Sequence, residues 1–158
     1  MEIEVRVEKA KELDFSSIPY FSPEEFSDPE YPDSWEFMDA TSIVMLSWLR
    51  RETGWPIITH NKFGLRGCVC VDSIGHSGAS RHYIENGASA CDFHFKTSAD
   101  TREQTYWVRK SGFKGIGIYQ SEWLWPREGV LKIAFHVDRR DRFQVWTRKD
   151  AEYFYLLD

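Results

Sequence analysis

The stretch Val130-Leu-Lys-Ile-Ala-Phe-His-Val-Asp138 constrains the fold of this chain more than any other. Leu131, Ile133, Phe135 and Val137 alternate with Lys132, Ala134, His136 and Asp138. An extended chain therefore sends its large apolar side chains one way and its polar ones the other. Such a strand calls for a sheet packed on one face and left to polar groups on the other. On that second face His136 and Asp138 stand about 7 Å apart along the strand.

Other segments add shorter strands and two helices. Trp55–His60, Cys91–Phe95 and Gly115–Tyr119 read as strands, and Phe143–Arg148 as the last one, returning after a turn at Arg139–Arg142. The glycines of Gly115-Ile-Gly117 fall on one face, where something must approach closely. Gly67–Ser73 reads as a strand or an extended loop, and the residues before Ser22 as a short strand and linker. Ser22-Pro-Glu-Glu25 opens a short helix with a capping box and proline at the first position. A longer helix is expected from Ser34 to Thr53, with Phe37, Thr41, Val44, Met45, Trp48 and Leu49 on one stripe, ended by Gly54 and Pro56. Asp100-Thr-Arg-Glu103 opens another, running to about Lys110. The order predicts one α+β domain over residues 1–158, with a small antiparallel sheet and helices on one side.

Composition narrows the partners. A net charge of −5 and a pI near 5.6 oppose nucleic-acid binding, which needs a basic footprint. No run of about 18 apolar residues predicts a membrane span, and Met1–Phe15 lacks the basic and apolar regions of a signal peptide. The expectation is a monomer made in the cytoplasm. Three cysteines, Cys68, Cys70 and Cys91, make an odd count, so a disulfide framework is not expected and Cys68 and Cys70 read as small buried hydrophobes. Seven Trp, seven Tyr and eleven Phe exceed what most cores of this size use, and some could line a cleft.

Three segments carry metal-type ligands: Ser80-Arg-His82, Gly87-Ala-Ser-Ala-Cys-Asp92 and His136-Val-Asp138. The first, and the start of the second, belong to a stretch, Ile74–Ala90, too rich in Gly, Ser and Ala to form a core, which reads as a loop with room for function, while Asp92 falls on the strand expected at Cys91–Phe95. Two imidazoles and one carboxylate would leave a fourth zinc position open, as hydrolytic zinc sites require.

Taken in order, Tyr20-Phe-Ser-Pro-Glu-Glu-Phe26, the long helix, Gly54-Trp-Pro-Ile-Ile-Thr59, Ser80-x-His82, Ala90-x-Asp92, Gly115-Ile-Gly-x-Tyr119 and His136-Val-Asp138 resemble the zinc D-alanyl-D-alanine carboxypeptidases and the phage L-alanyl-D-glutamate endopeptidases, which share a fold with hedgehog signalling domains. The resemblance runs from Tyr20 to Trp146. It implies a hedgehog-like α+β fold, one Zn2+ held by His82, Asp92 and His136, and cleavage of peptidoglycan stem peptides. Nine residues separate His82 from Asp92, more than the family's usual spacing. The family's substrate-binding arginine is matched here by Lys62 or Arg66. The acid that the phage relatives carry three residues before the last histidine is replaced by Ile133.

With Ile133 in that place, Asp138 becomes the expected general base, or else a partner that orients a ligand histidine. Glu122 and Glu128 are lesser candidates for the base. Ser80 either donates to a substrate oxygen or turns the loop. His60, His76 and His94 are expected in structural roles, Trp123 and Trp125 in a cleft wall or a hairpin tip, and Trp146 in the core. The resulting expectation is a wall-degrading metallopeptidase, released as a phage or prophage lysin. Its rivals are a non-catalytic zinc domain and a phage structural module that binds wall.

Overall fold

A computed structural model of the chain describes residues 8–60, 67–71, 78–121, 132–149 and 152–157. The architecture is α+β. Two helices, α1 (Ala40–Thr53) and α2 (Thr101–Lys110), accompany six strands: β1 (Ile57–His60), β2 (Cys91–Phe95), β3 (Gly115–Ser121), β4 (Lys132–Asp138), β5 (Gln144–Lys149) and β6 (Glu152–Leu157). The strands form one sheet in the order β1-β2-β4-β3-β5-β6.

Both helices start on an aspartate. Asp39 accepts from the Ser42 amide at 2.7 Å and its hydroxyl at 2.8 Å, and Asp100 accepts from the Glu103 amide at 2.9 Å. Each satisfies an amide that the first helical turn leaves without a partner. The cap at Asp39 moves the start of α1 from the expected Ser34 to Ala40. Ser34–Phe37 is instead a separate 3-10 turn, with Phe37 exposed rather than on the helix stripe. Gly54 ends α1 in the left-handed region at φ 67°. The capping box at Ser22 forms, the Glu25 carboxylate accepting the Ser22 amide at 3.0 Å, but it opens a single 3-10 turn, Pro23–Glu25. The linker expected before Ser22 holds two more 3-10 turns, Ala10–Glu12 and Phe15–Ser17, and the strand expected at the N-terminus lies outside the described residues.

The sheet is mixed rather than antiparallel. β5 does not return against β4; it lies on the far side of β3 and runs parallel to it. Residues 139–143 carry the chain past the start of β3, a step of about 9.6 Å between strands two places apart, well within reach of five extended residues. Lys114 bridges the two, donating to the Asp138 carbonyl and accepting from the Gln144 amide. β5 is not the last strand either, since β6 pairs antiparallel along its outer edge. Residues 67–69 carry no regular secondary structure, and Cys70 forms a lone bridge with Tyr83.

One face of the sheet carries the core. Phe93, Phe95, Ile116, Phe135, Val137 and Val145 pack with Ile43, Leu46 and Leu49 of α1 and Val108 of α2. The alternation read along residues 132–138 holds: Phe135 and Val137 are buried here, and His136 and Asp138 point to the opposite face. Among the described residues, no helix is long and apolar enough to cross a membrane.

Candidate metal centre

Strand register builds the second face. Reading across the sheet, His60 pairs with Asp92, Asp92 with His136, His136 with Gly117, Gly117 with Trp146 and Trp146 with Tyr155. Paired residues share a face, so this row places a carboxylate and an imidazole side by side on adjacent strands. His136 Nδ1 lies 2.7 Å from Asp92 Oδ1.

The third group comes from outside the sheet. The turn before a 3-10 helix (Ile84–Asn86) delivers His82, whose Nε2 lies 3.3 Å from Asp92 Oδ2 and 3.2 Å from His136 Nδ1. His82, Asp92 and His136 thus bring one ligand atom each into a cluster whose members lie within 4.8 Å of one another, an arrangement that could hold a metal ion. The longer loop between His82 and Asp92 is taken up by the 3-10 turn and by left-handed backbone at Gly87 and Ala88, so the extra residues do not keep the ligands apart.

The back side of each histidine shows which nitrogen is available. His82 Nδ1 sits 2.8 Å from the Cys68 carbonyl. A carbonyl only accepts, so Nδ1 carries the proton and Nε2 presents its lone pair to the cluster. His136 Nε2 lies 3.1 Å from Asp138 Oδ2, which likewise makes Nε2 the donor. In neutral His136, Nδ1 then faces Asp92 and His82 with a lone pair. The lone pairs of the two imidazoles and of the carboxylate, 2.7–3.3 Å apart, repel one another unless a positive charge sits among them. A metal ion supplies it, or a second proton on His136. Backing of ligand imidazoles by a carbonyl and a carboxylate is the arrangement that fixes tautomer and ring direction at metal sites.

The electrostatics agree. Burial disfavours a charged His136, but Asp92 and Asp138 on either side outweigh it and push its pKa up to about 9. Burial likewise works to raise the Asp92 carboxyl, and the two imidazoles overcome it, holding Asp92 well below the usual carboxylate range. Asp92 keeps 34% of its side-chain surface exposed, against 14% for His136 and 6% for His82. The cluster is therefore enclosed on the histidine side and open beside the carboxylate.

Asp138 does not have the geometry of a general base. Its side chain is 1% exposed. Oδ1 accepts from the Arg140 amide at 3.1 Å and Arg140 Nε at 2.8 Å, and Oδ2 from Arg140 Nη2 at 2.6 Å and from His136. Those contacts use all the lone-pair directions of a carboxylate. Burial raises its pKa, but Arg140 and His136 prevail and keep it well below the ordinary range. Of the two roles expected for Asp138, the contacts are those of a partner that orients His136.

Gly115 and Gly117 make this packing possible. A Cβ on Gly115 would lie 2.2 Å from Asp138 Oδ1 and 2.4 Å from Arg140 Nε; one on Gly117 would lie 2.8 Å from Trp146 Nε1 and from the Tyr119 hydroxyl. The close approach expected at these glycines is thus made by the chain's own side chains. With no side chain at Gly117, the rings of His136 and Trp146 come to 5.5 Å although they belong to strands two places apart. Trp146 is buried, but on this face rather than in the core expected for it. Arg140 lies 4.4 Å over its ring, and its Nε1 donates to the Tyr119 hydroxyl at 2.9 Å. Burial and the nearby Asp92 charge hold the Tyr119 phenol well above its usual range, so it keeps its proton.

Tyr119, Arg140 and Trp146 were not singled out as site residues from sequence. The signal available was local: Tyr119 lies two residues from Gly117 on one strand and so shares its face, whereas Trp146 meets Gly117 only through the pairing of β3 with β5. Ser80 accepts from the His82 amide at 3.3 Å, which fits the loop-turning role. His60 and His94 are buried and stack, His60 Nε2 lying 2.5 Å from His94 Nδ1. Lys62, Arg66, His76, Glu122, Trp123, Trp125 and Glu128 lie outside the described residues.

Comparison of the chain with protein-family models, with curated proteins and with solved structures finds no match in any of the three.

Proposed function

We propose that this chain is a zinc metallopeptidase that cleaves a peptide bond in peptidoglycan stem peptides. The observation that carries the reading is the convergence of His82, Asp92 and His136, from three separate segments, with both histidines backed so that their lone pairs meet. Two nitrogens and one carboxylate oxygen suit zinc and leave a position for substrate or water. When bound there, zinc supplies Lewis acidity to the scissile carbonyl and lowers the pKa of water.

The residues around it divide the remaining work. His82 and His136 hold their tautomers through Cys68 and Asp138. Arg140 fixes Asp138. Tyr119, its phenol protonated and its oxygen accepting from Trp146, offers a hydrogen-bond donor to the developing charge on the substrate oxygen. Arg66 or Lys62 pairs with a substrate carboxylate, and Glu122 or Glu128 takes the proton that Asp138, fully occupied, does not. The resemblance to the D-alanyl-D-alanine peptidases supplies the substrate class and the hedgehog-like fold, and with them the role of a phage or prophage lysin.

Digestion of purified peptidoglycan tests the whole reading. New amino termini or released alanine should appear with the zinc-loaded protein, vanish on chelation and return with zinc. Zinc bound at one equivalent without any cleavage would instead make this a non-catalytic zinc domain. Glu122→Gln and Glu128→Gln, assayed with zinc content, assign the base: one should keep its metal and lose turnover.

A further inference from the structure

The geometry points to a disulfide between Cys68 and Cys91, made as the chain folds, which ties together the two backbone segments behind the metal ligands. Their sulfurs lie 2.7 Å apart. That is inside the roughly 3.5–4.0 Å at which even the smaller carbon atoms rest in contact. A bond of about 2.05 Å needs only a further approach of roughly 0.6–0.7 Å. Both side chains are sealed from solvent, on the core face of the sheet.

The position of the pair gives the bond a consequence. The Cys68 carbonyl is the acceptor for His82 Nδ1 at 2.8 Å, and Cys91 immediately precedes Asp92 on β2. The closed loop, 68–91, contains His82. A bond here ties the segment whose carbonyl orients His82 to the strand that carries Asp92, beneath the face on which the two ligands meet.

The chemistry is thiol–disulfide exchange with a low-molecular-weight disulfide. One cysteine thiolate attacks that disulfide, forming a mixed disulfide and expelling one small thiolate, which takes up a proton. The second cysteine then attacks the protein sulfur of the mixed disulfide and expels the other small thiol. Two protein thiols lose two electrons and two protons, and one small disulfide becomes two thiols. Because both sulfurs are buried in the native fold, exchange belongs to the unfolded or partly folded chain. Once folded, the protein should resist both oxidation and reduction.

The full chain, denatured and refolded either with reductant or in a mixture of oxidised and reduced glutathione, tests this. Remaining thiols are blocked and the protein is digested without reduction. The oxidised refold should give one dominant linked peptide pair joining Cys68 to Cys91, and should melt several degrees above the reduced form, since the crosslink restricts the unfolded chain. The melting difference should persist in Cys70→Ser and vanish in Cys68→Ser and Cys91→Ser. Linkage through Cys70, absence of linkage, or an oxidised form melting no higher than the reduced one would overturn the proposal. If a serine variant fails to fold, the peptide map and the two melting curves of the unsubstituted chain still decide. The link to the site rests on the metal reading: at one fixed chelator concentration the oxidised protein should keep more zinc than the reduced. Equal retention overturns that link alone, whereas failure of both forms to bind zinc counts against the metal centre and leaves the peptide map to judge the disulfide.

Discussion

Phe135 and His136 are neighbours in the chain and inhabit different media. Phe135 lies between Phe93 and Phe95 on the face covered by the helices, its ring centroid 5.7 Å and 5.9 Å from theirs. His136 faces away, between two carboxylates and against an indole. The first face gains from removing apolar surface from water and tolerates nothing charged. The second buries charge, and it does so only because each charged group meets an opposite one: Asp138 on Arg140, His136 on Asp92. The contrast teaches that a single period-two pattern can specify a scaffold and a site together, and that the two should fail independently.

Substituting each face in turn breaks the comparison most directly. His136→Ala should abolish binding of one zinc equivalent, measured by chelator competition, while the fold, followed by circular dichroism, survives. A fully metallated variant would remove His136 from the ligand set. Phe135→Ala should do the opposite, lowering unfolding free energy by about 3–5 kcal/mol in urea titrations, with the folded fraction still binding zinc.

A smaller effect sharpens the assignment of Asp138. Asp138→Asn should weaken zinc affinity by about 10–100-fold, the range seen when a partner behind a ligand histidine is changed. Unchanged affinity together with lost turnover would restore Asp138 as the base.

The smallest effect is a dependence on pH. His136 in the metal-free protein is raised to about 9 from an ordinary value near 6.5. Its protonated form therefore stabilises the fold fully below about pH 6.5, and that contribution is lost as pH rises through about 9. Melting of the chelated protein should drop by a few degrees between those values. Saturating zinc should remove the drop, because the metal takes the proton's place and its affinity grows as the proton leaves. An identical decline with and without zinc would show that the cation does not sit at His136.

Much of this was legible in the residues. The alternation at 132–138, the aspartate cap at Asp100, the capping box at Ser22 and the glycine stop after Thr53 each depend on neighbours in sequence, and the structure carries each of them. What misled were choices between two local signals. Ser34 and Asp39 can both start a helix, and Asp39 prevails with two bonds to Ser42. The turn after Asp138 reads as a hairpin because nothing in residues 139–143 announces that β3 will lie between β4 and β5. Tyr119 and Trp146 could be seen as a strand tyrosine and a strand tryptophan, but not as partners, because their meeting depends on that same step across β3.

Sequence by itself determined which side chains could share a face, because the pleat of a strand and the turn of a helix are properties of a few consecutive residues. It also held the three ligand types in their order along the chain. Tertiary structure alone decided that Asp92 stands opposite His136, that a loop brings His82 over both, that Arg140 reaches back to occupy Asp138, and that Cys68 meets Cys91. Those contacts join residues 2 to 54 positions apart, and the distant ones follow from strand order and loop closure, which emerge only when every apolar face competes for the same core.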